Sequence, residues 1–322
     1  MSSGGSDYKV RPLDLTGLQT ISLKERGGKV RSADFARPHK PGAPLGEWLD
    51  SLPRILAGEN LRAAVSAIGA AQKAGKPIIW GMGGHVIKCG LAPVLIDLMR
   101  RGFATAFAMN GSASIHDFEI ALAGHTSEDV EAALPDGRFG SAEETGREWN
   151  RALIKDAGIG EALGRALESL AAAEHRESSL LLQAWRAKAP VTVHVAVGTD
   201  TPHAHPAVNA ELLGAATHRD FRLFCALVGQ LDEGGVYINA GSAVVMPEVF
   251  LKAVSTVRNL GHKLGGFTTI NMDFLQHYRP RVNVVERPHA QAGGMGIALT
   301  GHHEIMIPLL AALVIERSEA GR

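Results

Sequence analysis

Residues 77–122 read PIIWGMGGHVIKCGLAPVLIDLMRRGFATAFAMNGSASIHDFEIAL, and this stretch decides the fold. Two short β-rich runs, 77–80 and 103–109, flank a segment whose apolar residues recur at helical spacing. In that segment, GLAPVLIDLMRRG (90–102), a proline lies in the first helical turn and a glycine closes the helix. A strand, a helix and a second strand in this order predict parallel pairing.

The same alternation continues along the chain. Further β-rich runs are found at 191–197, 236–239, 266–272 and 282–285. We therefore predict an α/β fold with a Rossmann-like, mostly parallel sheet that carries helices on both faces. The long interruption at 115–188 contains only helical and loop patterns, and we interpret it as a helical layer within the same domain.

The beginning of the chain differs from the rest in composition. Residues 1–45 are polar, and PHKPGAP at 38–44 is typical of a linker or an extended arm. We predict an N-terminal arm over 1–45, which either wraps a partner subunit or stays free, and one α/β domain over 46–322. The initial MSSGGSDYKV has no apolar core, so we expect no signal peptide.

Charge and cysteine content argue against several classes of protein. The 322 residues carry 33 basic and 33 acidic side chains, a balance that disfavours binding to nucleic acids or membrane surfaces through bulk charge. Only two cysteines occur, Cys89 and Cys225, which excludes a disulfide framework and favours a reduced, cytoplasmic setting. The longest apolar run, 305–315, is too short for a membrane span and is interrupted by Pro308.

The segments after the predicted strands are where a ligand would bind, because ligands in such sheets lie beyond the carboxyl ends of the strands. They read GMGGHVIKCG (81–90), NGSASIHDFE (110–119), GTDTPHAHP (198–206), AGSAVVMPE (240–248) and DFLQHYR (273–279). Most combine small and polar residues, which suits backbone N–H groups that contact phosphate or sugar oxygens. The strict dinucleotide fingerprint fails, since position 86 is Val and Asn110 replaces the acid expected after the second strand. A nucleotide would bind in another pose.

Histidines suggest an alternative metal site. His203 and His205 form an H-x-H motif, and HHE occupies 302–304. Neither matches the H-E-x-x-H signature, and prolines bracket the first pair in a predicted loop, so hydrogen-bonding roles at strand ends are the alternative interpretation. The G-x-S-x-G elbow of serine hydrolases is missing, and neither cysteine has the polar surroundings of a nucleophile.

Acidic residues at the strand exits form a second candidate set, which comprises Asp117, Glu119, Asp200, Glu248 and Asp273. If they converge above the sheet, they suit a cationic amine substrate or an ordered divalent ion. Each alternatively serves as a helix N-cap or as a first-turn acid that meets the helix dipole. For Asp117 and Glu248 both interpretations stay open.

Taken together, these loops resemble the deoxyhypusine synthase family over about 75–315. The similar segments, in chain order, are MNGSASIHDFEIAL, DGRFGSAEETGREWN, APVTVHVAVGTDTPHAH, YINAGSAVVMPEVFLKAV and TGHHEIMIPLLAALV. The resemblance implies a homotetramer with NAD bound close to a subunit interface. Enzymes of that family oxidise spermidine with NAD and pass its aminobutyl group through an enzyme lysine to a lysine of a translation factor.

The strand exits and the resemblance together supply the candidate site residues. The cofactor-binding candidates are Gly83, Gly84, Asn110, Gly111, Ser112, Asp200, Gly241 and Ser242. The catalytic candidates are His116, Asp117, Glu248, His302 and His303. His116 falls where the family has a substrate-binding acid, and 246–248 falls where it has a histidine pair.

One departure from the family bears on the chemistry. Where the family has its imine-forming lysine, this chain reads AGGMGIALTGHH (292–303), and no lysine follows Lys263. Because an imine requires a primary amine, we expect that this protein does not make deoxyhypusine. We still expect an NAD-type pocket and a small-molecule substrate, such as a small amine. Lys88 is expected to serve a phosphate or an exposed face. The alternatives are a metal-dependent hydrolase or lyase using the four histidines named above, and a non-catalytic binding paralogue.

Overall fold

The computed structural model describes residues 8–319, and its strands form one six-stranded parallel sheet. The strands are β1 (Ile78–Met82), β2 (Ala106–Asn110), β3 (Val191–His194), β4 (Val236–Ala240), β5 (Thr268–Asp273) and β6 (Met295–Thr300). They lie in the order β3-β2-β1-β4-β5-β6, so the order reverses between β1 and β4. This is the strand order of dinucleotide-binding sheets, which place their ligand at that reversal.

Helices connect the strands. They are α1 (Leu45–Ser51), α2 (Leu56–Lys73), α3 (Gly84–Lys88), α4 (Ala92–Arg100), α5 (Gly111–Ala123), α6 (Val130–Ala133), α7 (Glu143–Ala152), α8 (Ile159–Ser169), α9 (Leu180–Ala187), α10 (Ala210–Gly229), α11 (Val245–Asn259), α12 (Tyr278–Pro280) and α13 (His303–Glu319). Short 3-10 turns occupy Ser32–Asp34, Arg176–Ser178, Thr201–Ala204 and Arg287–His289, and Arg281–Glu286 is a π-helix.

Both faces of the sheet are buried. Ile78, Trp80 and Met82 of β1 point into a core that includes residues of α2, α4, α5, α9 and α13. Ile79 points to the opposite face, into a core with residues of α10 and α11. Such double burial explains why the strands are continuous apolar runs, and it confirms the predicted three-layer α/β fold.

One predicted strand is wrong. Residues 282–285 are not a strand but part of the helical segment 278–289, and the sixth strand is β6, which had no strand prediction. An apolar run of four residues does not distinguish a strand from a buried helical turn. In the structure, the Val284 side chain is fully buried in the second core, while its carbonyl accepts a hydrogen bond from Thr269 Oγ1 at 2.6 Å.

The regions outside the sheet follow the sequence pattern closely. Segment 115–188 contains α5 to α9 and, within this fully described stretch, no strand. Residues 8–44 are mostly exposed and contain only the Ser32–Asp34 turn as regular structure. The predicted arm begins at residue 1, and the signal-peptide expectation concerns residues 1–10. Both therefore fall partly on residues 1–7, which lie outside the described part. Among the described residues, no helix is long and apolar enough to cross a membrane.

Candidate functional site

Two glycine-containing loops meet where the strand order reverses, and we call the place between the ends of β1 and β4 the crevice. Gly83 follows β1 and Gly241 follows β4, and a Cβ atom on Gly83 would lie only 2.3 Å from the carbonyl oxygen of Gly241. Gly241 itself has a φ of +65°, a conformation that favours glycine. The two loop backbones therefore meet at the switch point in a way that no side chain would permit. In dinucleotide-binding sheets, glycines at this position serve both the tight turn and close packing of the loop.

His303, the first residue of α13, contacts the crevice. It is fully buried, and its Nε2 lies 3.2 Å from the carbonyl oxygen of Met272, so Nε2 carries the hydrogen. Its Nδ1 is a buried acceptor that has no partner among the described residues. Burial lowers the pKa of His303, although Asp273 and the Met272 carbonyl oppose the effect. A neutral imidazole thus lies with its Nε2 edge beside Gly241, while its Nδ1 stays an unpaired buried acceptor.

The loops after β2 and β3 also pack closely together, because Gly111 has no side chain at their contact. A Cβ atom on Gly111 would lie 2.0 Å from Oδ2 of Asp200, so the carboxylate packs against the beginning of α5. Asn110 caps that helix, because its Oδ1 accepts a hydrogen bond from the backbone nitrogen of Ala113 at 2.9 Å. Ser242 has a similar role at α11, where its Oγ accepts a hydrogen bond from the Met246 nitrogen at 3.1 Å.

A cavity of about 760 Å³ opens alongside α5, next to the crevice. Its acidic lining residues are Glu119, Glu128, Glu144, Glu148 and Asp200, and its permanently basic ones are Lys88 and Arg147. Ser112 and His116, one helical turn apart on α5, also line it. The wall is therefore predominantly acidic, which suits a cationic ligand.

His116 is held by a hydrogen-bonded relay. The hydroxyl of Thr126 donates to a carboxylate oxygen of Glu119, and His116 Nδ1 lies 2.7 Å from the Thr126 oxygen. Because the single hydroxyl hydrogen is used on Glu119, the Thr126 oxygen accepts from His116, and Nδ1 carries the hydrogen. Nε2 is then the ring nitrogen that takes no part in the relay. This is the arrangement of an oriented general base.

The two carboxylates nearest this base have different environments. Burial raises the pKa of Glu119, but the nearby His116 and hydrogen bonds from Thr126 and Thr145 outweigh it and hold that pKa below the ordinary value. Burial raises the pKa of Asp200 despite the opposing effects of His203, Thr199 and His116. Glu119 therefore stays ionised and anchors the relay.

Two predicted catalytic acids have roles that the structure accounts for without a ligand. Asp117 is fully buried and accepts hydrogen bonds from Ser179 Oγ and from the backbone nitrogens of Leu180 and Leu181, which anchors the start of α9. Burial raises its pKa to about 6. Glu248 pairs with Lys252 and with Arg279 on the surface of α11. Neither lines the cavity along α5.

The candidate histidines are dispersed. His203 Nδ1 accepts a hydrogen bond from the Gly198 nitrogen at 3.2 Å, and His205 Nε2 lies 3.1 Å from Glu143. One ring nitrogen of each H-x-H histidine therefore already has a partner within the protein. His302 is exposed and stacks on Phe274. Among residues 8–319, the one His/Cys/Asp/Glu group close enough to hold an ion is His85, Cys89 and Glu304, and it includes none of the four predicted histidines.

Sequence reasoning missed the residues that complete the relay around His116 and Glu119. Thr126 and Thr145 lie 10 and 29 positions further along the chain, in a loop and in α7, and no motif marks them. The only sequence signal was the spacing of His116 and Glu119, which are three residues apart and share one helix face. Lys88, which was expected to serve a phosphate or an exposed face, is the last residue of α3 and lines the cavity.

The fold is similar to those of several solved structures. AgrE, in a ternary complex with ornithine and NAD+, is 14% identical over 84% of this chain and 35% of that chain, with a TM-score of 0.53. A conserved putative LOR/SDH protein from Methanococcus maripaludis S2 is 14% identical over 87% of this chain and 72% of that chain, with a TM-score of 0.50. A putative deoxyhypusine synthase from Entamoeba histolytica is 11% identical over 88% of this chain and 97% of that chain, with a TM-score of 0.49.

The limits of these likenesses are set by identity and length. No protein-family model matches the sequence, and no curated protein matches it either. This chain spans about a third of the AgrE chain. At such identities the likeness concerns the fold alone. The resemblance that the strand-exit loops predicted is therefore one of architecture: the chain has the Rossmann-like α/β fold of these structural neighbours.

Proposed function

We propose that this protein is an NAD-linked enzyme that binds the dinucleotide at the β1/β4 switch point and acts on a small cationic amine in the cavity along α5. The observation that carries the proposal is the continuity of the two places. A Cβ atom on Gly84 would lie 2.3 Å from Ser112 Oγ and 3.1 Å from His116 Cδ2. The glycine loop of the crevice is therefore in contact with the oriented base of the cavity.

The residues around the crevice have chemistry that fits a dinucleotide. Gly83, Gly84 and Gly241 lie at the strand ends without side chains and pack directly against Gly241, Ser112 and His303, and the buried Nδ1 of His303 has no partner among the described residues. AgrE, which has a similar fold, was solved with NAD+. When bound, the nicotinamide would supply the hydride acceptor, and this chain would supply the proton acceptor.

In this scheme His116 takes a proton from the substrate on Nε2, while Glu119, through Thr126, stabilises the imidazolium that results. The acidic wall, including Asp200, holds the cationic end of the substrate. Ornithine, which AgrE was solved with, is one amine of suitable charge for a first screen.

The proposed enzyme does not make deoxyhypusine. The chain has no lysine after Lys263, so an enzyme-bound imine would have to form on Lys88, which lines the cavity. Incubation with NAD and radiolabelled spermidine, followed by borohydride, tests this point. We expect no stable label, and label that maps to Lys88 would show that the chain does form the imine.

The decisive experiment is calorimetric titration of the folded protein with NAD, with light scattering to measure the assembly that we expect, a homotetramer. Saturable binding is expected in the micromolar to millimolar range, and it should be weakened about 10- to 100-fold in Gly83→Ala. An absence of binding at millimolar NAD, with the fold confirmed by circular dichroism, would contradict the proposal.

A further inference from the structure

A second cluster of reactive side chains lies on the other side of the glycine loop. His85 belongs to α3, Cys89 follows that helix directly, and Glu304 lies in the first turn of α13. Cys89 Sγ lies 3.2 Å from His85 Nε2 and 3.9 Å from Glu304 Oε2. One nitrogen, one sulfur and one oxygen atom therefore lie within 4.8 Å of one another.

The fold, and not chance proximity of long side chains, brings this group together. His85 and Cys89 are four residues apart, which places them on one face of a helical turn. Glu304 reaches them because β6 ends at the same edge of the sheet as β1 and leads directly into α13. The cluster is thus fixed by three elements that are themselves anchored in the core.

We propose that His85, Cys89 and Glu304 form a zinc site. A tetrahedral zinc ion with ordinary Zn–S and Zn–N or Zn–O bonds separates its ligand atoms by about 3.6 Å, and the two separations from Cys89 Sγ fall on either side of that value. The mixture of thiolate, imidazole and carboxylate matches the borderline-soft character of Zn2+ and disfavours Mg2+ or Ca2+.

Three protein ligands leave the fourth position of the ion open, as in catalytic rather than structural zinc sites. The surroundings support a site beside the crevice. The His85 ring lies 5.4 Å from the ring of buried His303, which contacts Gly241, and 6.2 Å from the ring of Phe274. His302 Nδ1 lies 4.0 Å from the Glu304 carboxylate.

This inference does not depend on the proposed dinucleotide site. The test uses the full-length chain without a histidine tag, dialysed against chelator, because a tag would itself bind metal. Zinc chloride is titrated calorimetrically, and cobalt chloride is titrated while absorption is recorded, since a thiolate ligand gives a sulfur-to-cobalt charge-transfer band. The variants are Cys89→Ser, His85→Ala and Glu304→Gln, and the control is Cys225→Ala, which removes the other thiol.

We expect one zinc ion per chain, a charge-transfer band with cobalt, and loss of that band in Cys89→Ser but not in Cys225→Ala. Each ligand variant should weaken zinc binding by at least about tenfold, because each ligand contributes part of the binding free energy of the zinc ion. Absence of zinc binding to the folded wild type overturns the site. So does binding that survives in all three ligand variants, or a band that is retained in Cys89→Ser and lost in Cys225→Ala. Thermal unfolding of each variant verifies that the comparison is made on folded protein.

Discussion

The crevice between β1 and β4 and the cavity along α5 adjoin each other but are built from different parts of the chain. The crevice consists mainly of backbone, since Gly83 and Gly241 allow two loops to meet where a Cβ atom would not fit. The cavity consists of side chains from α5, from the loop and helix that follow it, and from the 199–201 segment. In the proposed function, the first would select a ligand by shape, and the second by charge and proton transfer.

This difference implies that substitutions in the two places should have separable effects. A change in the crevice should alter dinucleotide affinity, whereas a change in the cavity should alter turnover. Residues that lie in neither place, including some that the sequence nominated, should affect neither quantity. The expected effects below run from the largest to the smallest.

The largest effect is expected from the base. His116→Gln should lower the rate of NAD reduction with a saturating small amine by about 10²- to 10⁴-fold, the usual contribution of a general base, without weakening NAD binding. Stopped-flow absorbance of NADH and calorimetry would measure the two quantities. The control is His125→Gln, because His125 lines the same cavity outside the relay. Equal losses of affinity and rate would contradict the division between the two regions.

A matched pair of acids on α5 should respond to pH with opposite signs. The pKa of Asp117 is raised from 3.8 to about 6 in the folded protein. Between these two pH values, Asp117 therefore keeps its proton in the folded state but loses it in the unfolded chain. Its contribution therefore makes the free energy of unfolding fall as pH rises from about 4 to 6, by about 3 kcal/mol at most. Asp117→Asn should remove that fall.

Glu119 supplies the opposite case. Its folded-state pKa is lowered, so its contribution to stability is present above its ordinary pKa and is lost as the pH falls through the folded value. Urea denaturation of Asp117→Asn, Glu119→Gln and wild type at several pH values would separate them. If both substitutions change the pH profile in the same direction, the contrast between a structural and a functional acid fails.

A smaller effect is expected in the crevice. Gly83→Ala should weaken NAD binding by about 10- to 100-fold, because the added Cβ would meet the Gly241 carbonyl at 2.3 Å and force the loops apart at a cost of about 1–3 kcal/mol. Gly69→Ala in α2 is the control, since nothing lies within 4 Å of its added Cβ. Calorimetry should show unchanged affinity in that control, and equal weakening in both would indicate a general loss of stability.

The smallest effect is expected from Glu248→Gln. Its partners Lys252 and Arg279 are largely exposed, and surface ion pairs of this kind contribute less than about 1 kcal/mol. We expect nearly unchanged NAD affinity, turnover and denaturation midpoint. A loss of turnover beyond about tenfold would restore Glu248 to the catalytic set, since such a loss exceeds what its ion pairs contribute.

The fold could be predicted from short-range patterns, with one exception. Residues 77–122 show their strand, helix and strand in sequence because apolar spacing, an early proline and a closing glycine agree with one another. β6 was missed because GMGIALT, at 294–300, contains two glycines and few β-branched residues. Pairing with β5, and not local propensity, makes that segment a strand.

The sequence by itself determined which residues gather at one edge of the sheet: glycine and small polar residues follow successive strands, and parallel strands bring their carboxyl ends to one edge. Only the tertiary structure decided which side chains contact one another there. Asp117 and Glu119 are two residues apart, yet one anchors α9 in the core and the other holds His116 at a cavity. Cys89 and Glu304 are 215 positions apart and still meet. Such partners come from distant segments, and no local pattern specifies which segments packing brings together.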